Sequence, residues 1–311
     1  MKQLLNARKT SQAPQRLLKE KTPALLDPQA RKLAEQVRWL TLPGMPTPWN
    51  DLQFPICITG SGSPVLLLHG FDSCFLEFRR LAPLLDKHHQ LLIPDLLGFG
   101  FCPRPPKQDF GPEQVLQHLD KIINHFPIEN SLGVIGASMG GAVAMELARR
   151  HPDKINLVML LAPAGLTGKP MPVPPILDHF GVWFLNQQRV RRSLCRQAFA
   201  DPEGSVGAPE EQIASMHLEV EGWAHAMRSF ARSGGFGGQG SPLPQQPLHV
   251  IWGKNDRILN RVQKQGIQTL LHSNPTAKLE EVNNCGHLPH LDCPAVVAKR
   301  WLEMSHPDDH P

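Results

Sequence analysis

No apolar run in this chain of 311 residues approaches the roughly eighteen needed to span a bilayer. Met1 to Asn6 is followed by charge and proline instead of an apolar stretch, so no secretory signal is expected. The six cysteines, at positions 57, 74, 102, 195, 285 and 293, form no C-x-x-C pair and no zinc-like set with histidine. Thiols placed in this way are expected to stay reduced, in a cytoplasmic protein. Phosphate-cradling glycine loops, nucleotide fingerprints and metal-ligand clusters are also missing, so neither a cofactor nor a metal is expected. There is no internal repeat. Tyrosine is absent altogether.

What is present is enough apolar material for a substantial core, 41% of the residues. The length suits one large α/β domain carrying an insertion, or two domains. The net charge of +4 is uneven. Residues 1–40 hold nine Lys or Arg against Glu20, Asp27 and Glu35, a local +6 that leaves −2 for the rest. A slightly acidic body argues against nucleic acid as the substrate, and a small-molecule substrate is expected. The basic arm suits peripheral contact with an anionic membrane, although such arms are more often solvated, partly helical extensions. Nothing in the sequence specifies an oligomeric state.

Residues 1–35 read as a basic extension in which Pro14, Pro23 and Pro28 interrupt any long helix. From residue 36 strands and helices alternate. Strands are expected at Val37–Leu42, Pro55–Thr59, Pro64–His69, Leu91–Ile93, Leu132–Ile135, Asn156–Leu161, Leu248–Trp252 and Lys278–Val282. Helical spacing covers Phe75–Leu85, Pro112–Phe126, the stretch after Ser138, Asn260–Leu271 and Ala295–Met304. Continuous apolar strands separated by helices imply a doubly wound, mostly parallel sheet. The core is then 36–166 with 246–305, the tail is 306–311, and 167–245 is a helical lid ending in a glycine-rich run at 234–240.

The chemistry centres on Gly136-Ala-Ser138-Met-Gly140, a G-x-S-x-G pattern between a strand and a helix. A turn that sharp exposes the serine at the sheet edge, and the glycines allow the strand and helix to approach. A serine nucleophile needs a base, and the base needs an orienting acid. His287, in Asn284-Cys-Gly-His287, follows the last strand and would emerge at the same edge. His290 competes but lacks the preceding glycine. Asp256, in Trp252-Gly-Lys-Asn-Asp256, also follows a strand, whereas Asp95 precedes Ser138 and suits a structural turn. The order Ser138, Asp256, His287 is that of a hydrolase triad. The backbone N–H groups of Phe71 and Met139 are the candidate oxyanion hole. His69 is expected to brace that loop. Phe180, Trp183, Phe184, Met216, Trp223, Met227 and Phe230 either line an apolar pocket or pack lid helices on the sheet. Arg189, Arg191, Arg192 and Arg196 read as a solvated lid face.

Five stretches in order, His69-Gly-Phe, Pro94-Asp-Leu-Leu-Gly-Phe-Gly, Gly136-Ala-Ser-Met-Gly-Gly, Trp252-Gly-Lys-Asn-Asp and Cys285-Gly-His, resemble the α/β-hydrolase superfamily in its single-lid branch. The run Phe71 to Arg79 is also similar to chloroplast and cyanobacterial hydrolases. The resemblance spans about residues 36–305 and implies the fold and the triad, without specifying a substrate. Members with an aspartate nucleophile differ at Ser138. Prolyl aminopeptidases differ at Met139, and the menaquinone-pathway synthase differs at Ala142. The expected activity is serine hydrolysis of a carboxylic ester of a mainly apolar small molecule. The same triad serves thioesters or the C–C bond of a diketone, and the same fold serves ligand-sensing receptors.

Overall fold

The structure, a computed structural model, describes residues 2–128, 131–272 and 276–306. Eight strands form one sheet: β1 (Val37–Thr41), β2 (Gln53–Thr59), β3 (Ser63–Leu68), β4 (His89–Pro94), β5 (Leu132–Ala137), β6 (Ile155–Leu161), β7 (Leu248–Gly253) and β8 (Ala277–Val282). Their spatial order is β1-β2-β4-β3-β5-β6-β7-β8. The β1–β2 and β2–β4 pairs are antiparallel, and every later pair is parallel. This is the mostly parallel, doubly wound sheet that the unalternating apolar runs predict.

Alternation is present, but both faces are dry. Leu66, Val134, Leu160 and Val250 join one core cluster, while their neighbours Leu67, Ile135, Leu161 and Ile251 join another. The period-2 geometry of a strand sends successive side chains to opposite faces. Helices α4 (Pro112–His125) and α5 (Met139–Arg150) cover the first face, together with α11 (Arg261–Leu271). Helix α13 (Pro294–Ser305) covers the second. The helical spacing over Phe75–Leu85 is realised in two pieces, a 3₁₀ turn at Phe75–Phe78 and α3 (Ala82–Leu85). Pro83 lacks the N–H that would carry one helix across the junction.

The N-terminal segment departs from expectation. Helix α1 (Lys2–Lys21) runs through Pro14 without ending there. Beyond the proline, Leu18 is buried in the second core cluster, so tertiary packing overrides local propensity. Leu25 and, in α2 (Pro28–Ala34), Ala30, Leu33 and Ala34 join the same cluster. Asp27 caps α2 by accepting from the N–H groups of Gln29 (2.8 Å) and Ala30 (3.1 Å), and its other oxygen meets Arg79 Nε at 2.7 Å. From Leu18 onward, this stretch is therefore part of the body and not a solvated arm.

Between β6 and β7 come five α-helices, α6 (Pro175–Leu185), α7 (Gln188–Ala198), α8 (Pro202–Ser205), α9 (Ala208–Met216) and α10 (Trp223–Ser233), with a 3₁₀ turn at His217–Glu219. The glycine run after α10 is held by backbone bonds. Gln239 N–H bonds Gly165 O (3.0 Å) and Gly240 N–H bonds Leu166 O (2.8 Å), which ties the exit of the insertion to its entrance. A short helix, α12 (Pro289–Asp292), precedes α13. The expected C-terminal tail lies outside the described residues, His306 excepted. No helix among the described residues is long and apolar enough to cross a membrane.

Candidate active site

β5 ends at Ala137 and α5 begins at Met139, so the chain turns on Ser138 alone. Ser138 has φ 49° and ψ −117°, a conformation that costs an ordinary residue about 1–3 kcal/mol. Backbone bonds hold it there. Its N–H donates to Leu161 O, and its carbonyl accepts from Gly141 and Ala164, each at 2.9 Å. The flanking glycines are required by contact. A Cβ on Gly136 would lie 2.2 Å from Gly140 O, and one on Gly140 would lie 2.2 Å from Leu68 O.

The loops after β7 and β8 meet this turn. His287 Nε2 lies 2.9 Å from Ser138 Oγ, and His287 Nδ1 lies 3.0 Å from Asp256 Oδ2. The other Asp256 oxygen accepts from Ile258 (2.8 Å) and Leu259 (3.1 Å), which fixes the carboxylate plane. Burial opposes the Asp256 charge, but the hydrogen bond from His287 and those backbone donors outweigh it, and its pKa falls below the usual value. The structure thus brings Ser138, His287 and Asp256 into one hydrogen-bonded line.

Phe71 and Met139 flank the serine. Met139 opens α5, where helix geometry leaves the first N–H groups without an internal acceptor. The Phe71 ring packs edge-on to Phe99, centroids 5.7 Å apart. His69 is fully buried, with Nδ1 2.8 Å from Gly70 O, and its Nε2 accepts from Leu96 N–H at 3.0 Å. Burial pushes its pKa down to about 4, so the ring is neutral and braces the Gly70–Phe71 loop. Asp95 is buried too and accepts from Phe75 and Phe101 N–H, both at 2.6 Å. Burial pushes its carboxyl up to about 7.

His290 makes no hydrogen bond to Ser138. Its Nε2 lies 2.9 Å from Glu77 Oε1, and the other Glu77 oxygen accepts from Gly70 N–H at 3.3 Å. Burial opposes the Glu77 charge, yet contact with His290 holds the carboxyl down at about 2. Through Glu77, His290 supports the Gly70–Phe71 loop, and His287 is the histidine bonded to the serine.

A cavity of about 290 Å³ opens over Ser138 and His287. Leu185, Leu194, Phe199, Ile213, Ile258 and Leu288 give it an apolar wall drawn from both insertion and core. Four of the seven apolar residues singled out in the insertion pack into the core, as the packing alternative expects, and three do neither. Trp223, Met227, Phe230 and Met216 are buried in the core clusters, while Phe180, Trp183 and Phe184 face solvent.

The sequence pattern of the alpha/beta hydrolase family matches residues 65–300. The chain belongs to the alpha/beta hydrolase family. It is 28% identical over 284 residues to the alpha/beta hydrolase domain-containing protein VTE7 of Arabidopsis thaliana, covering 88% of this chain and 84% of that protein. It is 31% identical over 253 residues to Lipase 3 of a Moraxella species, covering 75% and 74%. Among solved structures, the meta-cleavage product hydrolase of Pseudomonas fluorescens superposes with a TM-score of 0.69 at 19% identity, covering 87% of this chain and 98% of the other. That last likeness shows the shared fold.

In this member of the alpha/beta hydrolase family the lid is tied to the site at two points, neither of which was anticipated. Asp72, next to Phe71, has φ 48° and is buried under the lid. Its Oδ1 accepts from Trp223 Nε1 (2.8 Å) and lies 3.1 Å from His217 Nε2, and its Oδ2 accepts from Arg191 Nη1 (2.6 Å). Burial opposes the Asp72 charge, but His217 and Arg191 outweigh it and drive its pKa far below the usual range. Arg191 is therefore not on a solvated face. Its guanidinium also donates to Ala214 O at 2.6 Å. Arg189 and Arg192 are exposed as expected. At the second point His287 N–H donates to Ala198 O (2.7 Å), and Asp292 accepts from Gly286 (2.7 Å) and Ala200 (2.9 Å). Across each point the insertion and core partners lie far apart in sequence, and no spacing rule links them.

Proposed function

We propose that the protein is a serine hydrolase cleaving a carboxylic ester of a mainly apolar small molecule through an acyl-enzyme. The carrying observation is the line Ser138 Oγ, His287, Asp256, with contacts of 2.9 and 3.0 Å at the floor of an apolar cavity. Ser138 attacks the carbonyl as His287 Nε2 takes its proton, and Asp256 orients the ring and stabilises the cation. The N–H groups of Phe71 and Met139 receive the oxyanion. His287 then protonates the leaving alcohol and activates the water that releases the acid.

The charges on the wall argue against an anionic substrate. The two arginines lining the cavity are both occupied, Arg191 by Asp72 and Arg79 by Asp27 and Glu210. Neither is left to hold a substrate carboxylate. Labelling with a fluorophosphonate, followed by a screen of neutral and anionic esters, tests the reading. Wild type should label and prefer neutral esters. Ser138→Ala should stay folded, fail to label, and lose roughly 10³-fold or more in turnover. Retention of esterase activity by Ser138→Ala would exclude it as the nucleophile.

A further inference from the structure

Helix α6 has the sequence Pro-Ile-Leu-Asp-His-Phe-Gly-Val-Trp-Phe-Leu and sits in the fold with its polarity reversed. Its single acid, Asp178, is turned inward against Arg232 of α10. Its outward stripe is Ile176, Leu177, Phe180, Trp183 and Phe184, between 49% and 84% exposed. These positions fall on one helical face. The aromatic rings touch one another, with centroids 5.6 Å apart for Phe180–Trp183 and 6.5 Å for Phe180–Phe184. Single exposed apolar side chains are ordinary, but a contiguous aromatic stripe marks a contact surface. The approach to α6 is fixed, because Met171 N–H bonds Gly234 O (3.1 Å) and Val173 N–H bonds Ala231 O (3.0 Å). Met171, 79% exposed, extends the apolar area.

We propose that this face docks the lid on an anionic lipid bilayer. Charge selects that occupant. Lys169 precedes the stripe and Arg189 follows it; both are exposed, and neither has an ion-pair partner among the described residues. Asp178 is the only acid between residues 169 and 200, and it is buried. Lipid phosphates would pair with the two cations while the rings enter the acyl boundary, where tryptophan is favoured. A second copy docked face to face would bring the same cations together. The stripe and its two cations are drawn from residues 169–189 and not from the basic N-terminal segment. Leu185 and Leu194, beside the stripe, line the cavity, so docking would place its mouth near the lipid.

The test is co-sedimentation of the full chain with vesicles of phosphatidylcholine alone or mixed with phosphatidylglycerol. Wild type and Ser138→Ala should both bind the mixed vesicles, more weakly at high salt, so the result does not depend on the catalytic assignment. The combined variant Phe180→Ser, Trp183→Ser, Phe184→Ser should lose about tenfold or more in vesicle affinity, with its unfolding midpoint and its hydrolysis of a water-soluble ester unchanged. Lys169→Gln with Arg189→Gln should abolish the preference for the anionic lipid. Unchanged binding by the aromatic variant would overturn the proposal. So would a wild-type dimer in sedimentation equilibrium that the same variant converts to monomer, since a second copy would then own the face.

Discussion

Arg191 Nη1 lies 2.6 Å from Asp72 Oδ2, in a pair with side chains only 9% and 6% exposed. One partner belongs to lid helix α7. The other is the residue after Phe71, whose N–H is proposed above as an oxyanion donor. Asp72 is strained at φ 48°, and three lid donors hold it in that conformation. The position of the Phe71 N–H is thus set from the lid as well as from the sheet, where His69 braces the same loop from below.

Asp72→Asn should therefore act on rate more than on binding. The amide keeps the shape but loses the charge, leaving Arg191 buried without its partner, a loss of the class worth about 3–5 kcal/mol when a buried ion pair is broken. Because removal of one oxyanion donor lowers turnover by about 10²–10³, partial displacement of Phe71 should lower kcat by roughly tenfold to a hundredfold. KM for a short neutral ester should change little. A matched rise in KM with constant kcat would show that Asp72 shapes the cavity and not the oxyanion site.

Acid stability should report on Glu77. Its carboxyl falls from 4.5 to about 2 on folding, because contact with His290 outweighs burial. A carboxyl with a depressed folded pKa adds stability that is fully present above about pH 4.5 and is lost as pH falls towards 2. Glu77→Gln should lower the unfolding midpoint at pH 6 and flatten its decline between pH 5 and 3. Parallel wild-type and variant curves would mean that Glu77 does not titrate in this range.

Much of this was legible before the structure. Ser138, Asp256 and His287 each follow a strand, and parallel strands deliver such loops to one edge. The strands were readable because residues such as Leu66 and Leu67 are both buried, on opposite faces, and so leave an unbroken apolar run. The lid contacts were not legible. Asp72 meets Trp223 across 151 residues and His217 across 145, through a chain of short helices with no fixed repeat. Arg191 sits among other arginines, and only packing sets it apart. The N-terminal segment misled through its charge. Its lysines and arginines conceal Leu18, Leu25 and Leu33, which are too widely spaced to announce a core.

That segment yields a prediction opposite to the one its composition suggests. Deleting residues 1–35 would remove Asp27 from Arg79, which is only 2% exposed, and strip Leu18, Leu25 and Leu33 from the core. The truncated protein should unfold at a markedly lower temperature or fail to fold. Asp27→Ala alone should destabilise by about 3 kcal/mol, from a broken buried pair and a lost helix cap. Equilibrium urea unfolding measures it, and a change below about 0.5 kcal/mol, the level of an ordinary surface substitution, would show that the contact is dispensable.

Gly286 offers the sharpest test of how the lid places the base. It sits immediately before His287, and a Cβ there would lie 2.4 Å from Ala198 O and 2.8 Å from Ala200 N. Both neighbours are lid backbone, and His287 N–H donates to that same Ala198 carbonyl at 2.7 Å. Adding one methyl must therefore push the lid segment 198–200 and the His287 loop apart. The imidazole then leaves the 2.9 Å contact with Ser138 Oγ, though every member of the triad remains in the chain. Misplacement of a reacting group by about 1 Å can cost on the order of 10² in rate. Gly286→Ala should lose activity on that scale, with fluorophosphonate labelling slowed to match, while most of its stability survives because no large core side chain is lost. Gly207→Ala is the control, because its Cβ would meet nothing closer than 3.5 Å. If Gly286→Ala labels and turns over like wild type, the lid backbone yields freely and the coupling between Ala198 and His287 carries no catalytic weight.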